Sequence, residues 1–360
     1  MPGRDDRSAN NVGVLRLFLA LSVAFTHSFN FVDGDSSREP LVRAFHNLSI
    51  ADLAVEGFFL LSGYLVTKSL LQSGSTSQYL GKRVLRIYPG YILACGVSLL
   101  IGLAAGGVLP PFSYQTIPAL FINLLFFRGV HLPNAFSNVP FPGINGAMWT
   151  LAYEFRCYVS LVILRSLGAF KNRYVMGGIA AVSLVLSVWG SAMPVEGSFD
   201  WFFGDPHFTA RFFALFLTGS AFYLFRDKIQ YNGIFALLCF TALLPLQYFS
   251  SIATIAVALL GGYALLWFAF CGPRSTWLGF FNKVDMSYGF YLYAWPIGNL
   301  IVFFDRGISV WELFLCSIVI GLSFAYVSWI SVEKPALALK RFLVPEHGFG
   351  VAAPREFETR

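Results

Sequence analysis

Charge is what this sequence has least of. Only 12% of its 360 residues are Asp, Glu, Lys or Arg, against about 25% in soluble chains, while 56% are apolar. That deficit excludes a soluble globular protein. Cysteine is sparse as well: Cys95, Cys157, Cys239, Cys271 and Cys316 are dispersed without paired spacing, so neither a disulfide framework nor a zinc site is expected. The sequence holds no internal repeat, no low-complexity tract and no polar stretch long enough for a soluble domain. Its net charge of +6 is spread over short loops and forms no long basic tract, so nucleic acid is not an expected partner.

What is present instead is apolar and aromatic. With 39 Phe, 16 Tyr and 8 Trp the chain is far too aromatic to be disordered. Apolar runs of about 20 residues match a hydrocarbon core of roughly 30 Å, which only helices or closed barrels cross with every backbone group paired. Continuous runs favour helices. Ten spans are expected, near 12–32, 53–72, 87–107, 146–168, 174–193, 209–225, 231–248, 250–270, 287–304 and 311–331. Segment 119–127, short and lying between Pro110-Pro111 and Pro140 to Pro142, reads as re-entrant or interfacial. Residues 12–32 read as the first helix and not as a cleaved signal, because Arg16 interrupts the run and no small-x-small site follows.

An even number of spans puts both termini on one side. Eighteen of the 25 Lys and Arg fall at the termini and in the even-numbered loops; Arg38, Arg43, Arg128 and Arg306 lie in the opposite loops, and Arg16, Arg156 and Arg211 lie inside spans. The positive-inside rule then makes both termini cytoplasmic. The expected fold is an all-α polytopic membrane protein, a bundle of about ten transmembrane helices. It has a cytoplasmic tail at 1–11, one transmembrane domain at 12–331 and a second cytoplasmic tail at 332–360.

An ionisable side chain in hydrocarbon costs several kcal/mol, so those inside spans are functional candidates by default. They are Arg16, His27, Glu56, Glu154, Arg156 and Arg211. Arg16 and His27 are eleven residues apart, three helical turns plus about 20°, which puts them on one face and roughly 16 Å apart along the axis. The spacing suits one elongated ligand; the alternative is two anchors at opposite interfaces. Glu56 begins an aromatic segment with Gly57, Ser62 and Gly63, small residues that permit close helix packing. Arg83 and Arg86, three apart, project to one side and can converge on phosphates, or serve as topological anchors. Glu154 and Arg156, two apart, point to different faces; Arg211 is left to pair with Glu154 or with Asp205.

Together these residues carry a pattern. The chain resembles the acyltransferase-3 family of bacterial integral membrane O-acyltransferases along nearly its whole length, from Val14 to Arg341. Arginine, ten residues and histidine match Arg16 and His27; an FFLLSGY run matches Phe58 to Tyr64; paired arginines before Tyr-Pro match Arg83, Arg86, Tyr88 and Pro89. Further along, Trp149, Leu151, Glu154 and Phe155, then Ser287, Tyr288, Tyr291 and Leu292, and finally Glu333 and Pro335 fall in the family's order. One position departs: Ala294 stands where members often carry a histidine. Some members also carry a C-terminal esterase-like domain, whereas residues 332–360 are all that follow the last expected span, so a stand-alone form is expected.

The resemblance implies transfer of an acyl group, usually acetyl from acetyl-CoA, to a hydroxyl of an envelope or exported carbohydrate at the bacterial cytoplasmic (inner) membrane. No bound cofactor is expected; acetyl-CoA or another acyl-CoA is the co-substrate, and the partners are that donor, a carbohydrate or glycolipid acceptor and the bilayer. A hydroxyl is a poor nucleophile until a base takes its proton, and an imidazole of ordinary pKa, about 6.5, suits that role. His27 is the candidate base, with Arg16 and Glu154 beside it as catalytic candidates. Arg83, Arg86 and Arg16 are candidates to hold CoA, and Glu56, Trp149, Ser287 and Tyr288 to bind substrate. Glu154 and Glu56 are candidates either to orient His27 or to bind acceptor hydroxyls. Ser62 and Ser287 are conceivable acyl carriers, with direct transfer simpler. The rival from another class is a transporter or flippase of a glycan or lipid-linked intermediate.

Overall fold

A computed structural model describes residues 10–46, 48–109, 116–190, 204–273 and 275–343. Most of both expected tails, the end of the span at 174–193, Pro110-Pro111 and Arg274 lie outside the described residues. Within them every regular element is helical. In chain order the helices are α1 Val12–Asp33, α2 Pro40–Phe45, α3 Ile50–Leu71, α4 Thr76–Ala104, α5 Thr116–Leu125, α6 Trp149–Ser166, α7 Arg173–Gly190 and α8 Pro206–Leu224. They continue with α9 Gly233–Leu246, α10 Ser250–Ala256, α11 Gly262–Cys271, α12 Thr276–Lys283, α13 Ser287–Phe304, α14 Val310–Ser328 and α15 Lys334–Ala338.

Helix occupies each of the ten expected intervals. Among the described residues six helical stretches are long and apolar enough to cross a membrane: Val12–Asp33, Ile50–Leu71, Thr76–Ala104, Gly146–Ser166, Ile252–Cys271 and Val310–Leu343. Arg173–Trp189 and Gly233–Leu246 are apolar but shorter. Of the remaining two, α8 carries His207 and Arg211, and α13 is rich in Tyr and Trp. Segment 119–127 falls on α5 as far as Leu125 and on the turn that follows, and the ten residues of α5 are too few to span.

The surface is inverted relative to a soluble protein. Leu100, Trp189, Ile234 and Phe304 are each at least two-thirds exposed, while Glu56 and Glu333 are 1% and 2% exposed. Apolar residues outside and carboxylates inside is the arrangement a lipid surround selects, so the chain is a membrane protein.

Helix starts are set locally. Ser49 and Asp52 form a capping box at α3, Ser309 and Glu312 another at α14, and Asp205 caps α8 ahead of Pro206. Close packing of α3 on α8 rests on two glycines. A Cβ on Gly63 would stand 2.0 Å from the Phe216 carbonyl oxygen, and one on Gly219 would stand 2.1 Å from that of Leu60. Without side chains there, the two backbones touch, which is how membrane helices associate when lipid removes the hydrophobic drive.

The last expected span differs from the sequence reading. The apolar run puts its end near 331; instead α14 passes through a π-helical turn, Trp329–Glu333, into α15 and a 3-10 turn ending at Leu343. Pro335, which has no N–H for the helical ladder, follows directly on the π turn, and Glu333 at the end of that turn is buried.

Candidate functional site

The chain connection between α12 and α13 carries the centre of the site. There Asp285 Oδ2 accepts a hydrogen bond from Arg16 Nη1 at 2.7 Å and another from Arg86 Nη2 at 2.5 Å. Its Oδ1 accepts from the Ser287 hydroxyl at 2.5 Å and from the Ser287 amide at 3.3 Å. Burial by itself would raise the Asp285 carboxyl, but the two guanidiniums and the Ser287 hydroxyl overcome it and hold it below the usual carboxylate range. The carboxylate is ionised at neutral pH.

Neighbouring residues complete the cluster. The Arg86 guanidinium lies 5.5 Å from the Tyr288 ring centre, and the Tyr288 hydroxyl donates to the Ile87 carbonyl at 2.8 Å. One turn past Arg86, Gly90 leaves room for Tyr288 and Glu333: a Cβ there would meet Tyr288 at 2.8 Å and Glu333 at 3.3 Å. Glu333 Oε1 accepts from Ser328 Oγ at 2.9 Å, and its buried Oε2 has no hydrogen-bond partner among the described residues. Arg86 feels the charges of both Asp285 and Glu333.

Beside this cluster opens a small cleft of about 50 Å³ lined by Arg16, Val55, Phe58, Phe59, Thr150, Leu151, Glu154, Ser287, Tyr288 and Tyr291. Four helices, α1, α3, α6 and α13, supply its walls. Glu154 Oε1 accepts from Ser62 Oγ at 3.1 Å and from the Tyr158 hydroxyl. Thr150 Oγ1 and the Tyr291 hydroxyl are 2.7 Å apart, closing the far wall. A cation, a carboxylate and several hydroxyls therefore face one apolar-walled space, the composition of a ligand site.

His27 does not line this cleft. Its ring packs edge-on against Trp295 at 4.6 Å, with Phe31 at 6.1 Å, and its buried Nδ1 has no hydrogen-bond partner among the described residues. Neither Glu154 nor Glu56 therefore orients it through that nitrogen. Trp295 in turn is fixed by its Nε1 donating to the Gly143 carbonyl at 3.2 Å, and Asn299 Nδ2 donates to the same oxygen at 2.8 Å.

The paired arginines part company. Arg86 turns to Asp285, whereas Arg83 Nη2 donates to Ser69 Oγ at 3.0 Å and its guanidinium lies 5.7 Å from the Tyr158 ring centre. Glu56 is held by Arg211, Nε to Oε1 at 2.6 Å, so Arg211 pairs with neither Glu154 nor Asp205 as expected; α3 and α8 approach closely enough to make Glu56 its neighbour. Trp149 packs edge-on against Phe208 at 4.8 Å and lines a second cavity, with Arg128, Asn145, Tyr153 and Arg156, behind α6 from the cleft. Of the residues singled out from sequence, Arg16, Glu154, Ser287 and Tyr288 thus share the cleft and Arg86 joins them through Asp285, while His27, Arg83, Glu56 and Trp149 lie elsewhere. No group of three His, Cys, Asp or Glu suited to a metal ion occurs among the described residues.

Asp285 and Tyr158 escaped the sequence reading. Tyr158, four residues after Glu154 on one helix face, was accessible to the spacing rule; Asp285, outside every span, was not.

A helical membrane protein with partly buried arginine–carboxylate pairs beside a polar-lined cleft has the makings of a membrane enzyme. The chain belongs to the acyltransferase family whose description reads "Acyltransferase domain", which matches residues 10–331. It is an acyltransferase. The chain is similar to an "O-acetyl transferase" of Shigella phage Sf6, 27% identical over 337 residues covering 91% of this chain and 95% of that one. It is also similar to "Nodulation protein 10" of Rhizobium leguminosarum bv. viciae, 26% identical over 362 residues, 93% of this chain and 95% of that one. No solved structure matches the chain.

Proposed function

We propose that the protein moves an acyl group, acetyl in the first instance, from acyl-CoA to a hydroxyl of an envelope or exported carbohydrate. The observation that carries this reading is the meeting of Arg16, Arg86, Ser287 and Tyr288 around Asp285, at the wall of a cleft that also holds Glu154. Those residues come from four of the motifs shared with the family, and a relative bears the name O-acetyl transferase.

In this reading the phosphates of the donor engage the arginines and its flexible arm runs along the α1 face toward His27. His27 takes the proton of the acceptor hydroxyl as the hydroxyl oxygen bonds the acyl carbon; the carbon–sulfur bond breaks, and the CoA thiolate leaves and takes up a proton. Among the described residues no donor holds Nδ1 of His27, so none competes there for an imidazole lone pair. Arg83, beside Tyr158, extends the basic face toward the nucleotide end. Glu154 binds a second hydroxyl of the acceptor in the cleft, apart from the one that His27 deprotonates, and Trp149, Ser287, Tyr288 and Glu56 contribute substrate contacts. Direct transfer needs no acyl-enzyme on Ser62 or Ser287.

The chain then sits in the bacterial cytoplasmic membrane with about ten crossings and both termini cytoplasmic, residues 12–331 forming the transmembrane domain. Donor and acceptor enter from opposite sides. Purified protein given labelled acetyl-CoA and cell-envelope glycan is expected to put label on the glycan. Acceptor movement without label would favour the transporter or flippase instead.

A further inference from the structure

We propose that Asp285 is a built-in competitor of the donor. In the unliganded protein its carboxylate occupies the place between Arg16 and Arg86 that a donor phosphate oxygen takes, and it gives way on binding. This rests on the reading that the two arginines receive the phosphates of acyl-CoA.

The geometry is that of a placeholder more than of a fixed strut. Arg16 from α1 and Arg86 from α4 each meet the carboxylate through one nitrogen, and both use the same oxygen, Oδ2. A guanidinium makes its strongest anion contacts as a two-pronged fork, and a single carboxylate oxygen shared by two guanidiniums offers neither fork a matching pair. A phosphate group, with three acceptor oxygens and a charge of up to about −2, can satisfy both.

Access and mobility agree. Arg16 and Ser287 line the open cleft, and the Arg16 and Asp285 side chains are 24% and 17% exposed. Asp285 lies in the non-helical residues 284–286 between α12 and α13, so it can turn away without unwinding a helix. Its tether is the Ser287 hydroxyl, 2.5 Å from Oδ1. The other carboxylate facing Arg86 is Glu333, which is buried and bonded to Ser328, and so remains behind when Asp285 departs.

An internal competitor lowers apparent affinity by the fraction of molecules in which the site is open. Removing it should tighten binding, whereas removing a residue that merely fixes two arginines should weaken it. The test is calorimetric binding of coenzyme A, and separately of inorganic pyrophosphate, to the full chain in lipid nanodiscs. Asp285→Asn is expected to bind coenzyme A roughly tenfold more tightly than the parent, with pyrophosphate shifting the same way. Ser287→Ala, which keeps the carboxylate and its long amide contact but removes the hydroxyl bond to Oδ1, is expected to tighten binding by roughly threefold. Unchanged or weaker binding in Asp285→Asn overturns the proposal; should that variant not fold, unchanged or weaker binding in Ser287→Ala overturns it. Arg86→Gln separates the two readings. If it binds coenzyme A as the parent does, the donor does not sit at these arginines. If it loses binding while Asp285→Asn gains none, only the competitor role fails.

Discussion

Arg16 and Asp285, 269 residues apart in sequence, are joined by a hydrogen bond of 2.7 Å between Nη1 and Oδ2. That bond closes the first helix of the chain onto the connection before α13 and brings Arg16 to the wall of the cleft. A lysine at 16 would keep the charge but lose the fork. Arg16→Lys is expected to raise the KM for acyl-CoA by about tenfold with a smaller change in kcat. Initial rates over a range of donor concentrations check this; a fall in kcat at unchanged KM would place Arg16 at the reacting atoms instead.

The packing of α3 on α8 depends on Gly63 and Gly219, whose added Cβ atoms would collide with backbone carbonyls at 2.0 and 2.1 Å. Gly63→Ala is expected to lower the melting temperature in detergent, or to abolish the monodisperse peak on size exclusion, since backbone and not a flexible side chain would have to yield. A thermally normal Gly63→Ala protein would contradict the packing described for these two helices.

Glu56 and Arg211 form a buried pair at 2.6 Å. Glu56→Ala strands a buried guanidinium and is expected to destabilise by about 3–5 kcal/mol, whereas Glu56→Leu with Arg211→Met recovers most of that loss. Transfer activity of the double variant then distinguishes the two uses of Glu56. Recovery of stability without activity supports an acceptor contact, and recovery of both makes the pair purely structural.

Asp285 is held below the usual carboxylate range because Arg16 and Arg86 outweigh the effect of burial. A depressed folded-state value means that its ionised form stabilises the protein above the unfolded carboxylate pKa of about 3.9, and that this is lost as pH falls through the folded value. The difference in thermal stability between the parent and Asp285→Asn is therefore expected to stay constant from about pH 8 to about pH 5 and to narrow only below about pH 4. Narrowing between about pH 7 and about pH 5 would mean that Asp285 titrates in the ordinary range or above it.

Much of the fold was legible in the sequence because lipid imposes a simple pattern: among the described residues each of the ten apolar intervals contains helix, and the glycines at 57 and 63 were rightly read as packing residues. The site was legible only where chemistry lies on one helix. Arg16 and Glu154 were found because an ionisable group in an apolar run stands out. Asp285 did not, since a lone aspartate between two helices looks like any loop residue until two arginines, 269 and 199 positions away, fold onto it. Spacing also overreached: Arg83 and Arg86 share a helix side, yet a 3.0 Å bond to Ser69 draws one away while Asp285 draws the other. Helical periodicity gives the face of a residue and not the length and flexibility with which its side chain finds a partner.

The central claim is acyl transfer with His27 as base, and it is tested most directly by single-turnover transfer of the labelled acetyl group from acetyl-CoA to envelope glycan by the parent protein and by His27→Gln. The account predicts label on the glycan with the parent, and with His27→Gln a rate lower by about 10²–10⁴-fold at unchanged coenzyme A affinity and melting temperature. Equal rates for the two proteins would contradict the role of His27, and glycan left unlabelled by the parent would contradict the transfer itself.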